Sequence, residues 1–341
     1  MATMRDVARL ANVSIATVSF TLNNTKPVAP ATRLRVEQAM EELKFRRNPV
    51  ARALASRRTR IIALLYPALQ HRFSGTVVNF FTSAAQTASE HGYTLVLWPI
   101  SNDAAEVTEL VDGGLVDGVL LMEVQLDDPR VERLRQSDLP FALIGRTRDP
   151  SALSYVDIDF ENTTAAAVDH LVDLGHRAIC LLNGSVGSSA LEAYGPVART
   201  EAAFDEVMRA RGLTPVTLAC DETPIAGRAA ASELLERAPD ATAVIVMNEH
   251  AAFGFVSGLT HRGLHVPRDM SILSIASSRD MAAISDPELT CMAAPGVELG
   301  RMGVEALLDQ LEGRSEKHPQ ALVMCTFVPG QSTGPAPDRR P

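Results

Sequence analysis

The sequence predicts an all-α helix-turn-helix headpiece followed by a two-lobed α/β core, each lobe a doubly wound parallel sheet. Three observations carry this. Residues 3–22, TMRDVARLANVSIATVSFTL, set two short amphipathic helices on either side of a three-residue break. From residue 61 onward, short apolar runs alternate with helical stretches, and the rhythm restarts after residue 155. Charge is divided unevenly: residues 1–60 hold 12 Lys/Arg against 4 Asp/Glu, while the remainder holds 20 against 37, within a net charge of −9. A basic head on an acidic body suits a protein in which one module meets a polyanion and the other does not.

The first helix carries Val7, Ala8 and Leu10 on one face, and Ala11-Asn12-Val13 breaks it. Ser14 has the side-chain oxygen of an N-cap for the second helix, which turns Ile15, Val18 and Leu22 inward. A second helix of this size fits a DNA major groove, and its N-terminus favours a phosphate. A third helix, about 30–43, opens on Pro30 and presents Leu34, Val36, Ala39, Met40 and Leu43 as a closing stripe. Residues 49–56 could form one more helix, too short to stand alone in water; Arg52, Arg57, Arg58 and Arg60 suggest that it orders against DNA, an ordinary linker helix being the competitor.

These residues, T-M-R-D-V-A-R-L-A-N-V-S-I-A-T-V-S together with N-P-V-A-R-A-L, resemble the headpiece and hinge of the lactose/galactose repressor (LacI/GalR) family. The resemblance implies that the second helix reads the major groove and that the hinge helix wedges Leu54, flanked by Ala51 and Asn48, into the minor groove. It implies base or backbone contacts from Ser14, Ile15, Ala16, Thr17, Ser19 and Phe20, with Thr3, Asn23 and Asn48 on phosphate or sugar. One departure stands out: the family usually has arginine where this chain has Phe20. Arginine forks onto guanine, whereas phenylalanine touches a thymine methyl or turns inward to pack.

The core opens on IIALLYP, an apolar run suited to a buried parallel strand. TLVLWPI, DGVLLM and PFALIGR follow, each separated by a helical stretch; AICLLNG, PVTLAC, AVIVMN and SILSIAS repeat the pattern. Two such halves imply a cleft between the carboxyl ends of their strands. Phrases such as YVDID (155–159), DLGHRAICLLNG (173–184) and TAVIVMNEHAAFG (242–254) resemble the family's periplasmic-binding-protein-like core, whose lobes are joined by three strands. The expected organisation is a headpiece at 1–46, a hinge and linker at 47–60, and a core at 61–330. Within the core, lobe 1 takes about 61–160 and 290–320 and lobe 2 about 161–289 and 321–330; residues 331–341 follow as a flexible tail without heptad leucines, which implies a homodimer.

The resemblance places effector contacts at Phe73, Arg146, Asp159, Arg199, Glu222, Asn248, Glu249 and Ser277. Both acids of the family's G-[FY]-D-D are lost in Ser274-Ile275-Ala276-Ser277, and N-D-x-M-A becomes Asn248-Glu249-His250-Ala251-Ala252. DDPRVERL (127–134) followed by PFALIGRT (140–147) looks like members that respond to glucosides, so a sugar or glycoside is the expected effector. An anionic metabolite held by Arg146 and Arg199 is the alternative, as is action as a corepressor. An enzyme is not expected, because no phosphate-loop, dinucleotide, zinc-protease or nucleophile-elbow motif occurs; an architectural DNA-binding protein without effector is a further alternative. The four cysteines, Cys180, Cys220, Cys291 and Cys325, show no C-x-x-C pair, so neither a metal nor a cofactor is expected. No signal peptide or long apolar span opens the chain, which implies a cytoplasmic protein, nucleoid-associated on its operator.

Overall fold

The computed structural model describes residues 2–23, 26–45, 58–66, 75–184, 193–247, 249–314 and 318–338. They divide into two compact units, Met1–Thr59 and Arg60–Pro341.

The first unit has three helices: α1 (Met4–Leu10), α2 (Ile15–Asn23) and α3 (Pro30–Glu42). Thr3 and Asp6 form a capping box at α1, the Thr3 hydroxyl accepting from the Asp6 amide and the Asp6 carboxylate accepting from the Thr3 amide. Asn12 takes the left-handed conformation at φ 54°, which asparagine tolerates, and so makes the turn. The Ser14 hydroxyl then accepts from the Thr17 amide at 3.0 Å, as an N-cap should. Val7, Ala8, Ala11, Val18, Val36 and Ala39 form the core, flanked by Val13, Leu22, Met40, Leu43 and Phe45. Three apolar positions depart from the expected stripes: Leu10, Ile15 and Leu34 are exposed. A core of three short helices takes about two positions per helix, so the outer members of each stripe are left in solvent.

The second unit contains two six-stranded sheets. In the first the order is β11 (Gln320–Val323), β5 (Tyr155–Ile158), β4 (Phe141–Ile144), β3 (Gly118–Leu121), β1 (Ile61–Tyr66) and β2 (Thr94–Pro99), all parallel. In the second it is β12 (Thr326–Val328), β10 (Thr290–Ala293), β9 (Ser271–Ser277), β8 (Ala243–Val246), β6 (Ile179–Gly184) and β7 (Val216–Cys220), with β12 antiparallel to β10. Central strands such as β1, β3 and β8 are buried on both faces, which explains their unbroken apolar runs. The first sheet is covered by α4 (Gly75–Glu90), α5 (Ala104–Gly113), α6 (Pro129–Arg135) and α12 (Gly296–Leu311). The second is covered by α7 (Phe160–Asp173), α8 (Gly195–Ala210), α9 (Pro224–Arg237), α10 (Glu249–His261) and the short α11 (Arg279–Ala282).

The chain passes between the sheets three times: after β5, after β10, and between β11 and β12. This corrects the expected lobe limits, since residues 290–293 belong to the second sheet and residues 321–323 to the first. Each short strand pairs with the sheet it leaves, and the crossing follows it.

The expected flexible tail is also corrected, because residues 331–336 are bonded into the second lobe. Ser332 is fully buried: its hydroxyl donates to the Ile272 carbonyl and accepts from the Thr290 amide, and its carbonyl accepts from the Ile272 amide. The Gly334 carbonyl meets the buried His176 ring and the Ser271 hydroxyl, and the Ala336 amide donates to the Leu174 carbonyl. His176 also touches Thr242, and burial lowers its pKa, against the hydrogen bond to Gly334. Truncation after Gly330 leaves the Ile272 and Thr290 amides without these acceptors. It is expected to cost the core about 2 kcal/mol, read as a lower urea midpoint; an unchanged midpoint would show that water replaces the strap.

Candidate DNA-reading face and effector cleft

In the first unit, Ser14, Ile15 and Ala16 are exposed at the start of α2, with Thr17, Ser19 and Phe20 half-buried beside them. They form one polar-to-apolar face at the Ser14-capped N-terminus of α2. Thr3 is at the start of α1, its hydroxyl engaged in the capping box. Among the described residues Phe20 lies outside the unit's core cluster, and the Lys26 ammonium lies 5.1 Å from its ring centroid. The Asn23 side chain, Asn48, Ala51 and Leu54 lie outside the described residues.

In the second unit the carboxyl ends of the strands from the two sheets face each other and touch at two latches. At the first, Gln125 and Tyr194 form an antiparallel bridge; the Leu126 amide donates to Ala193 and the Gly195 amide to Val124. Arg199 on α8 reaches across, its guanidinium donating to the Arg146 carbonyl at 2.8 Å and the Thr147 carbonyl at 3.1 Å. Gly195 makes this approach possible, since a Cβ there would stand 2.4 Å from the Arg199 Nη1. At the second latch the buried Glu249 carboxylate accepts from the Gly75 amide of the first lobe and, at 2.6 Å, from the Ser278 amide of the second. Burial raises its pKa, and these two amides pull the other way.

The two arginines expected to converge do so on the chain's own Asp157. Arg146 Nε lies 3.2 Å and Arg199 Nη1 3.8 Å from its Oδ2, and Arg146 also pairs with Glu161. Burial pushes the Asp157 carboxyl up to about 6, opposed first by Arg199 and then by Arg146. Asp159, two residues on, is the N-cap of α7, accepting from the Asn162 amide and side chain. Ser277 is buried and bonded to the Ser274 hydroxyl. Glu222 is exposed just past β7. Phe73 and Asn248 lie outside the described residues. Arg146, Arg199 and Asp157 are thus brought together, Glu249 stands at the other latch, and Asp159 and Ser277 are occupied within their own elements.

Sequence reasoning missed Tyr66, Glu123 and Tyr194. Glu123 follows β3 in the left-handed conformation (φ 54°), held by a hydrogen bond of 2.7 Å from the Arg130 guanidinium to its carbonyl. Arg130 is fully buried and anchored in turn by Asp128 at 2.7 Å. The pair sits in the D-D-P-R stretch, the signal that could have flagged a built support. Burial, and then the Glu222 charge, push the Glu123 carboxyl up to about 7, against a hydrogen bond from Tyr194 and the charge of Arg130. The Tyr66 and Tyr194 phenols are raised by burial and by both carboxylates, and the Tyr66 ring meets Phe81 edge-on at 5.1 Å. The cleft therefore gathers two carboxylates and two phenols, while its arginines are neutralised internally.

Among the described residues no group of three or more His, Cys, Asp or Glu could hold a metal, and no helix is long and apolar enough to cross a membrane. The four cysteines are buried thiols whose pKa values burial raises.

A helix-turn-helix unit joined to a two-lobed sensor defines the class of ligand-controlled DNA-binding regulators. Residues 3–48 match the profile of bacterial regulatory proteins, lacI family, and residues 168–333 that of a periplasmic binding protein-like domain. The chain is 30% identical to catabolite control protein A of Priestia megaterium over 312 residues, 89% of this chain and 91% of the relative. It is likewise 30% identical to the HTH-type transcriptional repressor CytR of Escherichia coli, covering 98% and 97%. Among solved structures, a complex of the regulator CelR with cellobiose superposes with a TM-score of 0.72 at 27% identity, covering 97% of this chain and all of that one. The chain belongs to the LacI/GalR family: it is a DNA-binding transcriptional regulator controlled by a small-molecule effector, and not an enzyme.

Proposed function

We propose that the chain is a cytoplasmic repressor that binds a pseudo-palindromic operator as a homodimer and releases it when a sugar or glycoside occupies the cleft. The observation that carries the effector class is the pairing of Arg146 and Arg199 with Asp157. The positive charge an anionic metabolite needs is already neutralised, whereas Glu123, Glu222, Tyr66 and Tyr194 supply the carboxylates and aromatic rings that suit hydroxyls and sugar C–H faces. CelR, whose structure holds cellobiose, supports the same class. Exposed Val78, Ile225, Ile284 and Val297 on the core offer apolar area for a second copy. Ser14, Ile15, Ala16 and Thr17 read bases in this proposal. Effector binding changes the angle between the lobes, and DNA affinity falls by the difference in effector binding free energy between the two states.

The test is a thermal-shift panel on the full chain, with neutral sugars and glycosides set against carboxylated and phosphorylated metabolites, followed by operator binding. A neutral glycoside is expected to raise Tm and weaken operator binding; a response confined to anions, or tighter binding with ligand, would overturn the reading. Glu123→Gln is expected to weaken the effector by about 1.5–3 kcal/mol, as for hydrogen bonds to a charged group. Because the Glu123 carboxyl titrates at about 7, wild-type effector affinity should fall from pH 8 to pH 6. In Glu123→Gln that fall should vanish.

A further inference from the structure

Phe20 occupies the position where the family's arginine is missing, and its surroundings show what replaces the charge. The ring is half-buried on α2 and, among the described residues, lies outside the core cluster of its unit. Lys26, exposed in the segment that leaves α2, places its ammonium 5.1 Å from the ring centroid, inside the range for a cation held over an aromatic face. Among the described residues no carboxylate pairs with Lys26, whereas Arg9 on α1 pairs with Asp6. A lysine on a connecting segment ordinarily spreads its charge over many rotamers, and a ring beneath it restricts that spread.

We propose that Phe20 is a platform for Lys26, and that the pair delivers to a DNA backbone phosphate the positive charge that an arginine at residue 20 would have aimed at a base. The inference rests on α2 being the reading helix. An ammonium is a compact point charge without the planar fork that grips guanine, so it suits a phosphate oxygen. It also lies beyond the carboxyl end of α2, whereas the base-facing residues cluster at the amino end. Half-site affinity is then retained while base discrimination at this position is relaxed, and Phe20 acts as a positioning residue.

The experiment begins with in vitro selection of duplex DNA by the full-length protein, followed by titrations of the recovered duplex and a scrambled one between 50 and 300 mM salt. Lys26→Met is expected to lower the slope of log K against log salt by about 0.9 for each half-site, on both duplexes. Phe20→Leu, which keeps apolar bulk and removes the π face, should lower the slope in the same direction and add little on top of Lys26→Met. Phe20→Tyr should restore it, which also guards against a Phe20→Leu variant that folds poorly. An unchanged slope in Lys26→Met would overturn the phosphate contact, and Phe20→Leu that leaves the slope intact would overturn the platform. A loss confined to one base pair of the selected operator would make the contact a base contact and overturn the assignment. Failure of the wild type to enrich any sequence would overturn the reading helix itself, and the pair with it.

Discussion

Arg199→Ala is expected to destabilise the core by about 3–5 kcal/mol at pH 8, the scale of removing one partner from a buried ion pair. The side chain is 10% exposed and its Asp157 partner 5%. Its loss strips the Arg146 and Thr147 carbonyls of donors and leaves Asp157 with Arg146 alone. The deficit should depend on pH. In the folded wild type the Asp157 carboxyl titrates at about 6, above the ordinary aspartate value of 3.8, so the folded state takes up this proton before the unfolded one. The stability this group contributes is therefore full below about 4, declines as pH rises through 6, and is level above. Arg199 is the largest influence holding that carboxyl down. Without it the decline extends to higher pH, so urea melts should show a larger wild-type-to-variant gap at pH 8 than at pH 5. Equal gaps would mean that Asp157 does not feel Arg199.

Gly254→Ala and Gly227→Ala should each cost at least the upper end of the about 1–3 kcal/mol typical of overpacking. These residues stand where α9 and α10 touch backbone to backbone. A Cβ on Gly254 would lie 2.0 Å from the Pro224 carbonyl oxygen, and one on Gly227 2.0 Å from that of Ala251. Neither obstacle is the end of a flexible side chain, so the helices must move apart. Either substitution alone opens the shared crossing, and the double variant should therefore lose less than the sum of the two. Melting temperatures of the three variants check this; full additivity would mean that the two glycines relax independently.

The parts of the fold legible in the sequence are those in which one short segment contains its own cause. Ser14 and Asn12 announce a cap and a turn through side chains that act within three residues. The run IIALLY must be a strand covered on both faces. What escaped depends on residues far apart in the chain. YVDID offers two aspartates, and only the strand's end shows that Asp157 meets the arginines while Asp159 caps a helix. Glu123 becomes a cleft residue because β3 and β7, in different sheets, end near each other. Residues 331–341 read as a flexible, Pro-rich tail, yet one hydroxyl, that of Ser332, ties two strands together.

That strap has a practical bearing on how motion in this molecule is followed. Because residues 332–336 are fastened to β9, β10 and the end of α7, a spectroscopic label at Asp338 would ride with the second lobe. Paired with another on α4 in the first lobe, it forms a ruler between the two lobes, on which a ligand-driven change in their separation can be read directly as a change in distance.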